Sequence, residues 1–99
     1  MKVLITGITG SLGSALLRHL LAHNLAERIV GYSRDELKQA ELANEVGDLQ
    51  PLRWVLGDVR DGDRLRRALW GCDTVIHCAA LKRVDKIAWD PNEALLTNV

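Results

Sequence analysis

The sequence has no excess of charge of either sign, no long apolar run and only two cysteines. Its 99 residues contain 13 Lys and Arg against 13 Asp and Glu. This balance argues against nucleic acid or an anionic membrane as a partner. No run approaches the roughly 18 apolar residues that a membrane-spanning helix needs. Met1 and Lys2 lead directly into a short apolar stretch without signal-peptide architecture, so we expect a cytoplasmic protein.

The cysteines and histidines do not match a known metal-binding pattern. Cys72 and Cys78 have neither C-x-x-C spacing nor a zinc framework, so we expect two free thiols, with Cys78 buried near a strand end. The sequence offers no identifiable base that would activate either thiol. His19 and His23 lie four residues apart on a predicted helix, but no third ligand accompanies them. We therefore expect no metal ion.

Strand-like and helix-like segments alternate along the chain. Short apolar runs are typical of strands covered on both faces, whereas apolar residues at helical spacing, with Asp before them and Gly after, are typical of helices. The predicted strands are Val3–Ile5, Arg28–Ser33, Leu52–Asp58 and Asp73–Ala80. The predicted helices are Leu12–Leu20, Asp35–Val46, Asp61–Gly71 and Asp90–Val99, the last of which has no stop signal.

This alternation predicts an α/β fold: one parallel sheet with helices on both faces, in a single domain that covers residues 1–99. Four strands in the order 3-2-1-4 would leave the fourth strand at an edge. Because the last helix has no stop signal, we expect the chain to be the amino-terminal part of a larger domain. An uncovered apolar edge would then favour self-association, and little stability would be in reserve.

Three glycines, Gly7, Gly10 and Gly13, lie between the first strand and the first helix. In a dinucleotide-binding turn the first glycine permits a tight turn, the second lets the backbone approach a diphosphate, and the third lets the helix pack near the sheet. The helix then presents free N–H groups to the anion. A glycine-rich turn without a ligand is the alternative. The predicted diphosphate site also includes Thr9, Ser11 and Leu12, and a capping role is the alternative for the hydroxyls.

The end of the second strand predicts which dinucleotide would bind. A cofactor without a 2′-phosphate usually meets an acid there, but this chain has Ser33 and Arg34, and Lys38 follows one helical turn later. A guanidinium suits a 2′-phosphate, so these residues favour NADP. Two alternatives remain: Ser33 and Glu36 could form a capping box with Arg34 as a surface charge, or Asp35 could bind the ribose hydroxyls of NAD.

Residues after the third and fourth strands complete the predicted cofactor site. Asp58 could accept a hydrogen bond from the adenine amino group, with Val59 packing on the ring. The alternative for Asp58 is a turn residue after Gly57. Small residues after the fourth strand would let the middle of the cofactor approach closely, or would simply permit tight strand–helix packing. They are Cys78, Ala79 and Ala80.

The segments "TGITGSLG", "YSRDELKQ", "GDVRD", "VIHCAALKRV" and "NEALLTNV" together resemble one family. They look like the extended short-chain dehydrogenase/reductases, in the polysaccharide-biosynthesis branch of UDP-N-acetylglucosamine 4,6-dehydratases, and the resemblance covers essentially the whole chain. It implies a Rossmann-type fold that binds NADP. One departure is Ile8, where the branch usually has glycine, and we expect it to crowd the diphosphate turn.

The resemblance also implies a reaction. In such enzymes NADP takes a hydride from C4 of the hexose, water is eliminated across C5 and C6, and the hydride returns to C6, typically with inversion at C5. The base is a tyrosine in a Tyr-x-x-x-Lys pair. Here the single tyrosine, Tyr32, is followed four residues later by Glu36, so we expect no catalytic residue within this chain and no dehydratase activity from it alone. Lys82, which belongs to the predicted cofactor site, would lie near the active site, and an exposed loop lysine is the alternative. Asn98 would organise structure around the site.

Two other functions are compatible with the same residues. A C4 epimerase of nucleotide sugars belongs to the same superfamily, although "YSRDELKQ" argues against it. A non-enzymatic dinucleotide-binding module is the alternative from a different class. For a dehydratase or an epimerase, the substrate would be a nucleotide sugar bound by the whole enzyme. Such an enzyme could assemble as a homo-oligomer.

Overall fold

The computed structural model describes residues 1–49 and 51–78 and the backbone of Leu95–Asn98. Each strand and helix predicted within the first 78 residues is present, with ends that differ by a few residues. The strands are β1 (Lys2–Thr6), β2 (Arg28–Ser33), β3 (Leu52–Leu56), β4 (Thr74–His77) and β5 (Leu95–Asn98). The helices are α1 (Ser11–Ala22), α2 (Glu36–Val46) and α3 (Gly62–Ala68). None of the helices described is long and apolar enough to cross a bilayer.

The five strands form one sheet in the order β3-β2-β1-β4-β5. Strands β1 to β4 are all parallel. Their order in the sheet confirms the predicted order 3-2-1-4. The register aligns Thr6 with both Tyr32 and His77, and Ser33 with Leu56. The carboxyl ends of the four parallel strands therefore lie side by side, and the loops that follow them meet at one edge of the sheet.

The structure corrects the prediction for the end of the chain. Leu95–Asn98, predicted as part of a helix, is a strand that pairs antiparallel with β4. Pairing joins Thr74 to Asn98 and His77 to Leu95, so β4 is not an edge strand and the predicted association through it loses its basis. The physical reason is tertiary: β4 has backbone groups to satisfy on its open side, and pairing with them outweighs the helix preference of Leu95–Asn98. Residues 79–94 lie outside the described residues.

The core lies on both faces of the sheet because side chains alternate along each strand. Val3 and Ile5 of β1 pack with Leu17 of α1 and Leu42 of α2. Leu4, between them in sequence, packs on the other face with residues that include Val30, Val75 and Leu65 of α3. Helices α1 and α2 therefore cover one face and α3 covers the other, as the alternating sequence predicts.

The N-termini of the three helices differ in how they are capped. Asp35 accepts a hydrogen bond from the Lys38 N–H at 3.0 Å and caps α2, and Asp61 accepts from the Arg64 N–H at 3.1 Å and caps α3. Helix α1 begins after Gly10, and no side chain caps it. The first turn of α1 thus has no side-chain acceptor of its own, and it faces the loop between β1 and the helix.

Candidate functional site

A cleft of about 560 Å³ opens at the carboxyl ends of the parallel strands. Each of the four strands β1 to β4 contributes residues that follow it, so the cleft exists only because the sheet brings four distant loops together. This is the position at which open parallel sheets bind ligands. The lining residues are Gly7, Thr9, Gly10, Ser33, Arg34, Asp35, Lys38, Gly57, Asp58, Val59, Arg60 and Cys78.

The structure explains the glycine at each of the three positions differently. Gly7 has φ +64°, a left-handed conformation that side chains disfavour. A Cβ at Gly13 would lie 2.3 Å from the Gly7 carbonyl oxygen, so α1 can pack on the turn only without a side chain there. A Cβ at Gly10 would meet nothing nearer than that same oxygen at 3.4 Å, and its φ of −77° suits any residue. The fold therefore requires Gly7 and Gly13 but not Gly10.

The predicted diphosphate segment divides into residues that line the cleft and residues that do not. Gly7, Thr9 and Gly10 line it. Ser11 and Leu12 are exposed on the first turn of α1, and Gly13 is buried beneath the turn. The hydroxyl of Ser11 does not cap the helix, because Gly10 occupies the cap position.

The Ile8 side chain does not crowd the turn, contrary to the expectation from sequence. It is fully buried among the apolar residues between β1 and helices α1 and α2. Gly31 of β2 makes this possible, since a Cβ there would lie 3.1 Å from both Ile8 and Trp54. The side chain that replaces the usual glycine therefore packs in the core and does not line the cleft.

Cationic side chains line the cleft at the end of β2. The structure there also corrects the capping role predicted for Ser33. Ser33 is 7% exposed, and its Oγ accepts a hydrogen bond from Gln39 Nε2 at 3.0 Å, which also donates to the Val55 carbonyl at 2.9 Å. The capping box of Ser33 with Glu36 is therefore wrong, because Asp35 is the cap. Arg34 and Lys38 both line the cleft with exposed side chains.

Asp58 is the centre of a charge cluster at this end of the cleft. Its Oδ1 accepts from the Arg60 backbone N–H at 2.9 Å, and its Oδ2 lies 2.8 Å from Arg60 Nη2 and 3.6 Å from Arg34 Nη1. The bonds from the Arg60 side chain, and then from its backbone N–H, hold the pKa of the Asp58 carboxyl well below its usual range. Asp58 is therefore an anion at neutral pH and already has a cationic partner.

Sequence reasoning missed two lining residues, Arg60 and Gly57. The signal for Arg60 was its place two residues after an aspartate, where an Asx turn brings a backbone N–H to the carboxylate. Gly57 has a tertiary reason: a Cβ there would lie 2.3 Å from the hydroxyl of Tyr32. That hydroxyl belongs to a fully buried ring and donates to the Asp58 carbonyl at 2.9 Å, which ties the loop after β3 to β2.

Cys78 follows β4 and borders the cleft as a buried neutral thiol. Its backbone N–H donates to both the carbonyl and the Oγ1 of Thr6, each at 3.1 Å. Burial raises the pKa of the thiol to about 11, so it is not poised as a nucleophile at neutral pH. The remaining predicted site residues, Ala79, Ala80 and Lys82, lie outside the described residues. In the described part of the chain, no three His, Cys, Asp or Glu side chains converge on a metal position.

Comparisons with known proteins identify relatives over nearly the whole chain. A family described as polysaccharide biosynthesis protein matches residues 3–99. The inverting UDP-N-acetylglucosamine 4,6-dehydratase of Campylobacter jejuni is 44% identical over 98 residues, which are 99% of this chain and 29% of that protein. The UDP-glucose 4-epimerase of Rickettsia prowazekii is 39% identical over 100 residues, covering 98% of this chain and 29% of that protein.

A solved structure shares the fold. The X-ray structure of Pen from Bacillus thuringiensis has a TM-score of 0.75 and 35% sequence identity, and the match covers 95% of this chain and 29% of that chain. The chain thus spans less than a third of the length of each of these relatives. Since the family match extends over residues 3–99, the chain belongs to the polysaccharide biosynthesis protein family, in agreement with the resemblance of its motifs to the dehydratase branch of the extended short-chain dehydrogenase/reductases.

Proposed function

We propose that this chain is the NADP-binding part of a nucleotide-sugar 4,6-dehydratase of the UDP-N-acetylglucosamine type. The observation that carries the proposal is Gly10, where the fold leaves space for a side chain and yet has none. A ligand that lies against the backbone explains this, and the uncapped first turn of α1 beside it suits the diphosphate of a dinucleotide. The cleft volume of about 560 Å³ lies within the range of small-molecule sites.

Different residues of the cleft would bind different parts of such a cofactor. Gly7, Thr9 and Gly10 would bind the diphosphate, and Asp58 with Val59 would bind the adenine. When bound, the nicotinamide would supply a hydride acceptor and donor. Cys78 lines the cleft after β4 with a small neutral thiol and contributes neither charge nor nucleophile.

Preference for NADP over NAD is supported by the charges at the end of β2. Arg34 and Lys38 are exposed cations in the cleft, as a 2′-phosphate requires. The acid that would suit the ribose hydroxyls of NAD is Asp35, but its carboxylate accepts the Lys38 N–H at the start of α2. The local acid thus already has a structural role.

Titration of the chain with NADP and with NAD tests this proposal. We expect tighter binding of NADP, and we expect Arg34→Ala to weaken NADP by about ten-fold while leaving NAD unchanged, because only NADP has the 2′-phosphate. Arg66→Ala is the matched control, since Arg66 is an exposed arginine in an ion pair with Asp63 and does not line the cleft. Tighter binding of NAD, or an Arg34→Ala variant that binds NADP normally, would contradict the proposal.

An epimerase is the second candidate, because the Rickettsia relative is 39% identical against 44% for the Campylobacter dehydratase. Chimaeras separate the two: this chain replaces the matching segment of either enzyme. We expect the dehydratase chimaera to remove one water from UDP-N-acetylglucosamine, detected by mass spectrometry, and the chain alone to give no product. Activity only in the epimerase chimaera would favour epimerisation. Cofactor binding without activity in either chimaera would favour a non-enzymatic module.

A further inference from the structure

Two arginines share one carboxylate at the adenosine end of the cleft. Arg60 contacts Asp58 with its backbone N–H at 2.9 Å, with Nη2 at 2.8 Å and with Nε at 3.2 Å, whereas Arg34 approaches only to 3.6 Å. Asp58 therefore accepts hydrogen bonds from Arg60, whereas its ion pair with Arg34 is longer. The side chain of Arg34 is 73% exposed, which leaves its guanidinium donors accessible to solvent or to a ligand.

The Asp58 carboxylate would repel an anionic ligand at this place, and the positive charge of Arg60 offsets that repulsion. Without Arg60, Asp58 would repel a phosphate and would draw Arg34 into a closer ion pair than the present one at 3.6 Å. With Arg60 in place, the cleft lining has three cations, Arg34, Lys38 and Arg60, against two carboxylates, Asp35 and Asp58. Loss of Arg60 would bring the lining to charge balance and leave Asp58 without its main partner.

We infer that Arg60 is a specificity-determining positioning residue, which favours the phosphorylated cofactor by neutralising Asp58 and so leaving the hydrogen-bond donors of Arg34 for the phosphate. This inference rests on the proposed NADP binding. It assigns Arg60 no direct contact with the cofactor. The lowered pKa of the Asp58 carboxyl agrees with it, because the hydrogen bonds that Arg60 donates are the main cause of that lowering.

The ratio of NADP affinity to NAD affinity tests the inference, because a merely structural role would lower both affinities equally. We expect Arg60→Ala to lower this ratio by roughly five-fold, the effect of one partly screened charge. Asp58→Asn should raise the ratio. The double variant Arg60→Ala/Asp58→Asn has the same net charge in the cleft as the unaltered chain, and its ratio should return close to the original value.

A matched control and the alternative outcomes make the experiment decisive. Arg66→Ala removes an exposed arginine from its ion pair outside the cleft and should leave the ratio unchanged. A low ratio that persists in the double variant would mean that Arg60 itself holds the phosphate, and an unchanged ratio in Arg60→Ala would mean that it has no part in selection. Either result overturns the inference but leaves the proposed function standing. If the unaltered chain binds neither cofactor, both fail.

Discussion

Gly10 and Gly13 lie three residues apart in one turn, yet only Gly13 is required by the fold. A side chain at Gly13 would have to move the backbone of Gly7, whose oxygen would lie 2.3 Å from the new Cβ. Overpacking of that kind costs about 1–3 kcal/mol. A side chain at Gly10 meets ordinary van der Waals distances and an extended backbone. The two positions therefore separate folding from ligand binding within one motif.

We expect Gly10→Val to abolish dinucleotide binding while the chain keeps its circular dichroism spectrum and folds normally. The valine methyls would occupy the space beside the turn into which a diphosphate must come. Binding is measured by fluorescence titration. Gly62→Ala, at the exposed start of α3, is the control that adds a methyl outside the cleft. Normal binding by Gly10→Val would mean that Gly10 is only a turn residue.

At the scale of elements, the loops after β2 and β3 are held by contacts that also shape the cleft. Tyr32 ties the loop of Asp58 to β2 through its hydroxyl, and Gln39 of α2 bridges Ser33 and Val55. Helix α2 begins at the same place with its Asp35 cap. The start of this helix is thus both a structural junction and one wall of the candidate site.

Asp35→Ala tests whether the acid at this junction is structural or binds a ribose. We expect a loss of about 1 kcal/mol in the free energy of unfolding, the usual cost of removing an N-cap, with NAD affinity unchanged. Asp61→Ala removes the equivalent cap of α3 outside the cleft and should cost a similar amount. Stability is measured by urea unfolding and affinity by titration. Loss of NAD binding in Asp35→Ala alone would support the ribose interpretation instead.

At the scale of the whole molecule, both faces of the sheet bury weakly acidic groups. Cys78 lies in the cluster with α1 and α2, and Tyr32 and Cys72 lie in the cluster with α3. Burial raises the pKa of Cys78 to about 11, and burial also raises the pKa of Tyr32 and of Cys72 above their usual values. In the unfolded chain these groups ionise at their usual values, so between those values and the folded ones the unfolded state binds fewer protons. Stability must therefore fall as pH rises through this window.

We expect the free energy of unfolding to fall between pH 9 and 11, with Cys78 contributing on the order of 2 kcal/mol of that fall. Cys78→Ala should flatten the pH dependence, although the lost volume lowers stability at every pH. Val75→Ala, another buried position, should lower stability without changing the slope. Urea unfolding at several pH values measures both. Equal slopes in the two variants would show that the Cys78 thiol does not titrate differently in the folded state.

The sequence by itself determined the parts that depend on local pattern. Alternating strand and helix segments predicted four parallel strands in the correct order, because strand length, caps and apolar spacing are local properties. The spacing of Gly7 and Gly10, with Arg34 after the second strand, predicted residues that the sheet brings to one cleft, whereas Gly13 is buried beneath the turn. The spacing did so because the carboxyl ends of parallel strands necessarily share an edge.

Only the tertiary structure decided which distant groups become partners. Leu95–Asn98 pairs with β4 because that strand has an open side, a fact that no local helix signal contains. Gln39 donates a hydrogen bond to the Ser33 hydroxyl, and Arg60 forms an ion pair with Asp58. Ile8 packs in the core against Gly31. In each case the free energy depends on space and charge supplied by another element. A pattern along the chain records the preferences of a segment, whereas a contact requires the position of the second segment as well.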